Sequence, residues 1–264
     1  MKKSQLIYQY IREQGAVSKQ DIVIGLGLSL PTITQNLNNL AELGLIDTSK
    51  KISNTGGRNA TAYSYIEKAR YAVGLYLNRH HINCVAVDLS GNVISLIRVR
   101  ENFDLNDDNY LRKIGETVEE VKKDTGLSDD RFLGVGIAVQ GLISDDGERV
   151  TYGLTLNFTG VTRADIAKYI PYHNRLFHDS AAAGYAEVWD RNDLDDAFYL
   201  SLSNSVGGAV IVANKIFEGE RRKSGEIGHM TIIPKAGDRC YCGQRGCFDT
   251  VCRANVLAEY ADGD

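Results

Sequence analysis

Apolar residues recur at helical spacing from the start of the chain. Leu6, Ile7, Tyr10 and Ile11 share one face of a helix that ends near Gly15. Ser18 caps a short second helix carrying Ile22, Val23 and Leu26, which the run Gly25-Leu26-Gly27-Leu28 breaks. Ser29 caps a third helix that tolerates Pro31 in its first turn. Ile33, Leu37 and Leu40 form its inner stripe, Thr32, Gln35, Asn36 and Asn39 lie on its other faces, and Gly44 ends it. Leu45-Ile46 begins a strand, and Ala60 to Ile66 reads as another. Between them lie Lys50-Lys51 and the turn Ser53-Asn54-Thr55-Gly56-Gly57-Arg58.

From residue 70 the pattern changes to strands alternating with helices. Strands are predicted over Val73–Leu77, Asn83–Leu89, Val93–Val99, Leu133–Val139, Arg175–Phe177, Ala197–Leu202 and Gly208–Ala213. Helices are predicted over Asn109–Asp124, Arg163–Ile170, Ser180–Arg191 and from Ala254 onward. This alternation is the mark of an α/β body. Two domains follow: residues 1–66, then 70–264 with a first lobe over about 70–180 and a second beginning at about 181.

Two short helices joined by a tight turn, the second polar on its outer face, make a helix-turn-helix. Gln and Asn side chains pair with adenine edges, and Thr contacts phosphate or the thymine methyl. Ser29, Thr32, Gln35, Asn36 and Asn39 are therefore the candidate DNA-reading residues. Gly57 and Arg58, at the tip of a basic hairpin, complete a wing that can lie on a phosphate ridge or enter the minor groove. Charge agrees with this division: residues 1–66 carry +3 and the remainder −7, within an overall −4. No apolar stretch approaches the ~20 residues of a membrane span. The start of the chain lacks the features of a signal peptide, so a cytoplasmic protein with no membrane partner is expected.

In a reducing compartment the cysteines point to metal. Four of the five lie between Cys240 and Cys252. His229, Cys240, Cys242 and Cys247 form a Cys3His set able to hold a tetrahedral, structural Zn²⁺, with Cys252 a rival for the fourth position.

The segments Ser224-Gly225-Glu226-Ile227-Gly228-His229 and Cys240-Tyr-Cys242-Gly243-Gln-Arg-Gly246-Cys247-Phe-Asp249 closely resemble the signature of the ROK family (repressors, open reading frames and kinases). The N-terminal winged helix-turn-helix and its Thr-Gly-Gly-Arg tip resemble the family's repressor branch. This resemblance implies an actin/hexokinase-like (ribonuclease H-like) sugar-kinase fold for the body, with the C-terminal lobe incomplete at Asp264. It favours His229 as the fourth metal ligand. It also implies a sugar or sugar-phosphate pocket formed by Asn157, His178, Asp179, Glu226, His229 and Asp249, in which Asp179 holds the position of the kinases' catalytic base. Asp249 replaces the family's usual Glu, and His178 replaces an Asn.

Phosphoryl transfer needs a phosphate cradle as well as a base. The family kinases supply an Asp-x-Gly-x-Thr turn after the first strand. Here Tyr76 stands in place of the Asp, and Asn78-Arg79-His80 replaces the rest. A second phosphate segment survives in part as Asn204-Ser205-Val206-Gly207-Gly208. The expectation is a non-catalytic, sugar-responsive repressor acting on palindromic operator DNA as a homodimer or higher homo-oligomer. The alternative is an ATP-dependent sugar kinase.

Overall fold

A computed structural model describes residues 2–52, 60–189, 191, 195–235 and 237–261 of the 264-residue chain. Its backbone divides into two compact units, Met1–Tyr71 and Ala72–Asp264.

In the first unit, helices α1 (Lys3–Gln14), α2 (Lys19–Leu26) and α3 (Leu30–Glu42) pack around Ile7, Ile11, Ile22, Ile33, Leu37 and Leu40, all buried. Ser18 and Asp21 cap α2 reciprocally: the Asp21 N–H donates to Ser18 Oγ at 3.2 Å, and the Ser18 N–H donates to Asp21 Oδ2 at 2.8 Å. Gly27, left-handed at φ 61°, ends α2. Gly25 continues this helix where its sequence reads as a break. The Tyr10 ring packs so closely there that a Cβ would overlap it.

The strand predicted over Ala60 to Ile66 is split in two. Strand β1 (Ile46–Asp47) pairs with β4 (Ser64–Tyr65), and β2 (Lys51–Ile52) pairs with β3 (Ala60–Thr61), both antiparallel. At the interruption Tyr63 exchanges backbone hydrogen bonds with Val17, which turns the chain toward α2. Gly57 and Arg58, the predicted hairpin tip, lie outside the described residues.

The second unit is built on a five-stranded sheet. Strands β5 (Tyr71–Leu77), β6 (His81–Asp88) and β7 (Val93–Arg100) are followed by helix α4 (Asp108–Asp124). Strand β8 (Phe132–Val139) comes next, and β11 (Asn174–His178) completes the order β11-β8-β5-β6-β7. Alternation is regular where one face is buried: every second residue of β5, from Tyr71 to Leu77, is inside. Helix α4 buries Tyr110, Leu111, Ile114, Val118 and Val121 along one stripe.

A hairpin between β8 and β11, β9 (Leu142–Ile143) with β10 (Val150–Tyr152), was not legible in the sequence. Helix α5 spans only Arg163–Ile166, shorter than its apolar pattern predicts. Helix α6 (Asp179–Val188) then leads to an antiparallel sheet of β12 (Ala197–Leu202), β13 (Val206–Val212) and β14 (Lys215–Ile216). Short helices α7 (Asp249–Cys252) and α8 (Ala254–Tyr260) follow the cysteine segment.

Candidate ligand, metal and nucleic-acid sites

Strand β11 runs parallel to β8, with His178 opposite Val139. This register brings Gln140, which follows β8, beside His178 and Asp179, which end β11 and start α6. Ligands of α/β sheets bind at such carboxyl ends. An inner cavity of about 70 Å³ opens there, lined by Tyr76, Gln140, Tyr152, Thr155, His178, Asp179, Glu226, His229 and Tyr241 among others. Asp179 is 21% exposed at its side chain. Its Oδ1 accepts the Ser180 N–H at 2.7 Å. Burial raises its carboxyl above the ordinary range, with the nearby His178 opposing. His178 Nε2 lies 3.7 Å from Asp179 Oδ1 and 3.8 Å from Glu226 Oε1.

Tyr76, near the end of β5, lines the cavity. Its hydroxyl accepts a hydrogen bond from Gln140 Nε2 at 3.1 Å. Burial, followed by the adjacent Asp179 charge, pushes its pKa up to about 12. A neutral phenol therefore stands beside the carboxylate at any ordinary pH.

The metal set assembles on the far wall. Ligand atoms of His229, Cys240, Cys242 and Cys247 all lie within 4.8 Å of one another. Cys240 Sγ is 3.6 Å from His229 Nδ1, and Cys242 Sγ is 3.7 Å from Cys247 Sγ. A tetrahedral ion with metal–sulfur bonds near 2.3 Å and a metal–nitrogen bond near 2.05 Å sets these edges at about 3.8 Å for S···S and about 3.6 Å for S···N. The four residues can thus hold a metal ion. Cys252, on α7, is not in the cluster.

His229 presents its other nitrogen, Nε2, to Glu226 Oε2 at 3.7 Å, so one ring faces both the ligating sulfurs and the cavity. Tyr241, between two of the cysteines, stacks edge-on against His229 with ring centroids 5.1 Å apart. Gly246 makes the loop possible: at φ 69° it packs on Ile233 so tightly that a Cβ would fall onto the carbonyl oxygen.

Two sugar-site candidates lie elsewhere. Asp249 is 1% exposed, and its Oδ1 accepts the Val206 N–H at 2.7 Å. It anchors the start of β13 from below and does not line the cavity. Asn157 sits in a left-handed turn at φ 55°; its neighbours Leu154 and Thr155 reach the cavity and it does not. Sequence reasoning missed Gln140, Tyr152, Thr155 and Tyr241. Of these only Tyr241 carried a signal, its place inside the Cys-x-Cys segment.

In the first unit, Ser29, Gln35 and Asn39 are exposed and Thr32 and Asn36 half-buried, all turned from the core formed by Ile33, Leu37 and Leu40. Ser29 Oγ and Thr32 Oγ1 are 2.9 Å apart, and Asn36 Nδ2 donates to the Thr32 carbonyl. These bonds hold the first turns of α3, and the Gln35 and Asn39 side chains make no hydrogen bond with another described residue.

Residues 72–263 match the model of the ROK family. The xylose repressor of Bacillus subtilis (strain 168) is 25% identical over 258 residues, covering 96% of this chain and 66% of its own length. The DNA-binding transcriptional dual regulator NagC of Escherichia coli (strain K12) is 24% identical over 278 residues, covering 97% and 63%. The chain thus spans about two-thirds of the length of these relatives. A crystal structure of a ROK family transcriptional regulator, a homolog of the E. coli MLC protein, superposes with a TM-score of 0.78 at 21% identity, over 98% of this chain and 66% of that one. A Streptomyces griseus ROK glucokinase in complex with glucose and AMPPNP superposes at 0.61 and 21% identity, over 72% and 60%. With the family's model matched over most of its length, this chain belongs to the ROK family.

Proposed function

We propose that the chain is a sugar-responsive transcriptional repressor. On this reading residues 1–66 form a winged helix-turn-helix that binds palindromic operator DNA, and the kinase-like body senses a sugar or sugar phosphate without transforming it. One observation carries the choice. Repressor relatives align over 96–97% of the chain, its first unit included, whereas the ROK hexokinase and glucokinase structures cover 72%.

Three helices with a basic hairpin are suited to a major groove: α3 would enter it with Gln35 and Asn39 foremost, Ser29, Thr32 and Asn36 nearby, and Gly57 and Arg58 on the flanking backbone. The sugar would lie between Asp179 and His178 on one side and Glu226 and His229 on the other. Carboxylates and imidazole each take vicinal hydroxyls in directional hydrogen bonds. Asn157 and Asp249, set back from the cavity, would act on it indirectly, Asp249 through the segment it anchors at Val206.

Thiolates with one imidazole favour Zn²⁺, which His229, Cys240, Cys242 and Cys247 would hold as a closed structural site. When bound, the ion supplies cross-linking and charge neutralisation, not activated water. The residues themselves do the recognition: the metal loop fixes the His229 ring so that Nε2 faces the ligand.

Sugar occupancy is coupled to DNA affinity if it alters the spacing of two winged helices in a homodimer. Half-sites engage together only at about one helical turn, ~34–36 Å, and a coupling of ~1–3 kcal/mol is typical of such linkage. The test is selection of bound duplexes from random DNA, repeated with xylose and N-acetylglucosamine. A palindrome whose occupancy changes with one sugar supports the reading, and indifference to every duplex at low salt ends it. A kinase reading draws on the retained Asp179. ATP-dependent turnover of a hexose panel would establish it; no turnover is expected, because Tyr76 stands in the cradle.

A further inference from the structure

A second, larger cavity of about 270 Å³ abuts the inner one. The two share Leu142, His178 and Glu226 as a common wall. His178 Nε2 and Glu226 Oε1 lie 3.8 Å apart in that wall, beyond hydrogen-bond reach, so the two side chains can part for a ligand without breaking a hydrogen bond. Beyond it the lining is mixed. Phe177 and Ile216 offer apolar surface, while Arg175 and Glu218 offer charge.

The basic residues here are not equivalent. Arg163 is spent on Glu148 and Asn174, and Arg222 on the carbonyls of Ser144 and Asp145 and the carboxylate of Glu218. The Arg175 side chain makes no hydrogen bond or ion pair with any described residue, and the residue is exposed at the cavity. Carboxylates outnumber guanidinium groups around the lining, which disfavours an anionic occupant. An aromatic face beside a guanidinium and a carboxylate is instead the lining that a neutral, polyhydroxylated ring takes, its C–H face on Phe177 and its hydroxyls on Arg175 and on the lone pairs that Glu218 keeps beside its pairing with Arg222.

We propose that the outer cavity is a second saccharide subsite, so that the preferred effector is a disaccharide or longer glycoside with its terminal ring in the inner cavity and the next ring against Phe177 and Arg175. This rests on the sugar-sensing reading above and specifies its ligand. His178, where the resemblance would place an Asn, then serves both rings from the shared wall.

The experiment is calorimetry on the full chain with three matched pairs: xylose and xylobiose, N-acetylglucosamine and N,N′-diacetylchitobiose, glucose and cellobiose. One disaccharide should bind at least about tenfold tighter than its monosaccharide, the value of one added charge-assisted hydrogen bond. Arg175→Ala and Phe177→Ala, both at exposed positions and checked for an unchanged melting midpoint, should each remove most of that advantage and leave monosaccharide affinity unaltered. Equal affinity for both members of every pair that binds, or a disaccharide advantage untouched by both variants, overturns the subsite while leaving sugar sensing intact. No binding by any of the six overturns both.

Discussion

Asp179 illustrates how a residue proposed for binding opposes folding. Burial raises its carboxyl pKa, so the folded chain holds that proton more tightly than the unfolded chain does. Its contribution to stability is greatest below the unfolded value, near 3.9, and is lost as pH rises through the folded value. At pH 7 the buried charge is a net cost. Asp179→Asn should therefore raise the melting midpoint at pH 7 by a few degrees, with the gain shrinking toward pH 4, while sugar affinity falls. A midpoint at pH 7 that stays put or drops would contradict the burial account. Cys247 gives the complementary case. Being fully buried and one of four clustered ligands, its replacement in Cys247→Ser should abolish bound metal, whereas Cys252→Ser should retain one equivalent per chain by elemental analysis. Metal lost equally from both would return Cys252 to the ligand set.

Among the elements, α2 and α3 separate stability from the proposed recognition. Ser18 is 4% exposed and caps α2 through Asp21, so Ser18→Ala should cost about 1 kcal/mol in denaturant unfolding. Gln35 and Asn39 are exposed. Gln35→Ala or Asn39→Ala should leave unfolding within about 0.5 kcal/mol yet weaken operator binding by about 1–3 kcal/mol where the side chain reads a base. Wild-type DNA affinity in both variants would remove α3 from the interface.

These helices were legible because buried Ile and Leu recur at their period; Ser18 caps α2 as expected, whereas Ser29, at the start of α3, turns its hydroxyl to Thr32 Oγ1 and caps no backbone N–H. The same reasoning located β5, β6, β7, β8, α4 and the cysteine segment. It failed where structure depends on distant partners. Leu142-Ile143 is too short to show a period, and β9 exists only through its pairing with β10. Arg163 to Ile170 carries a helical pattern, but the helix ends after Ile166 and Ile170 is buried beyond it. The cavity was legible only in its motif residues. Gln140, Tyr152 and Thr155 reach it by tertiary folding and sit in no pattern that the sequence displays.

At the scale of the whole chain, the cluster able to hold a metal and the proposed sugar cavity share residues in the body. His229 and Tyr241 belong to the metal segment and also wall the inner cavity. Chelation should accordingly weaken sugar binding at least tenfold, about 1.4 kcal/mol, with affinity restored on adding Zn²⁺. Undiminished affinity in the stripped protein would separate the two sites.

Tyr76 carries a consequence for the kind of signal such a protein delivers. A catalyst depletes the compound it recognises, and its occupancy follows the energy state of the cell as well as the carbon source. If, as proposed, its neutral phenol takes the place of a phosphate cradle, the sensor leaves its ligand unchanged. Its output then tracks the concentration of one nutrient and persists until other proteins remove it.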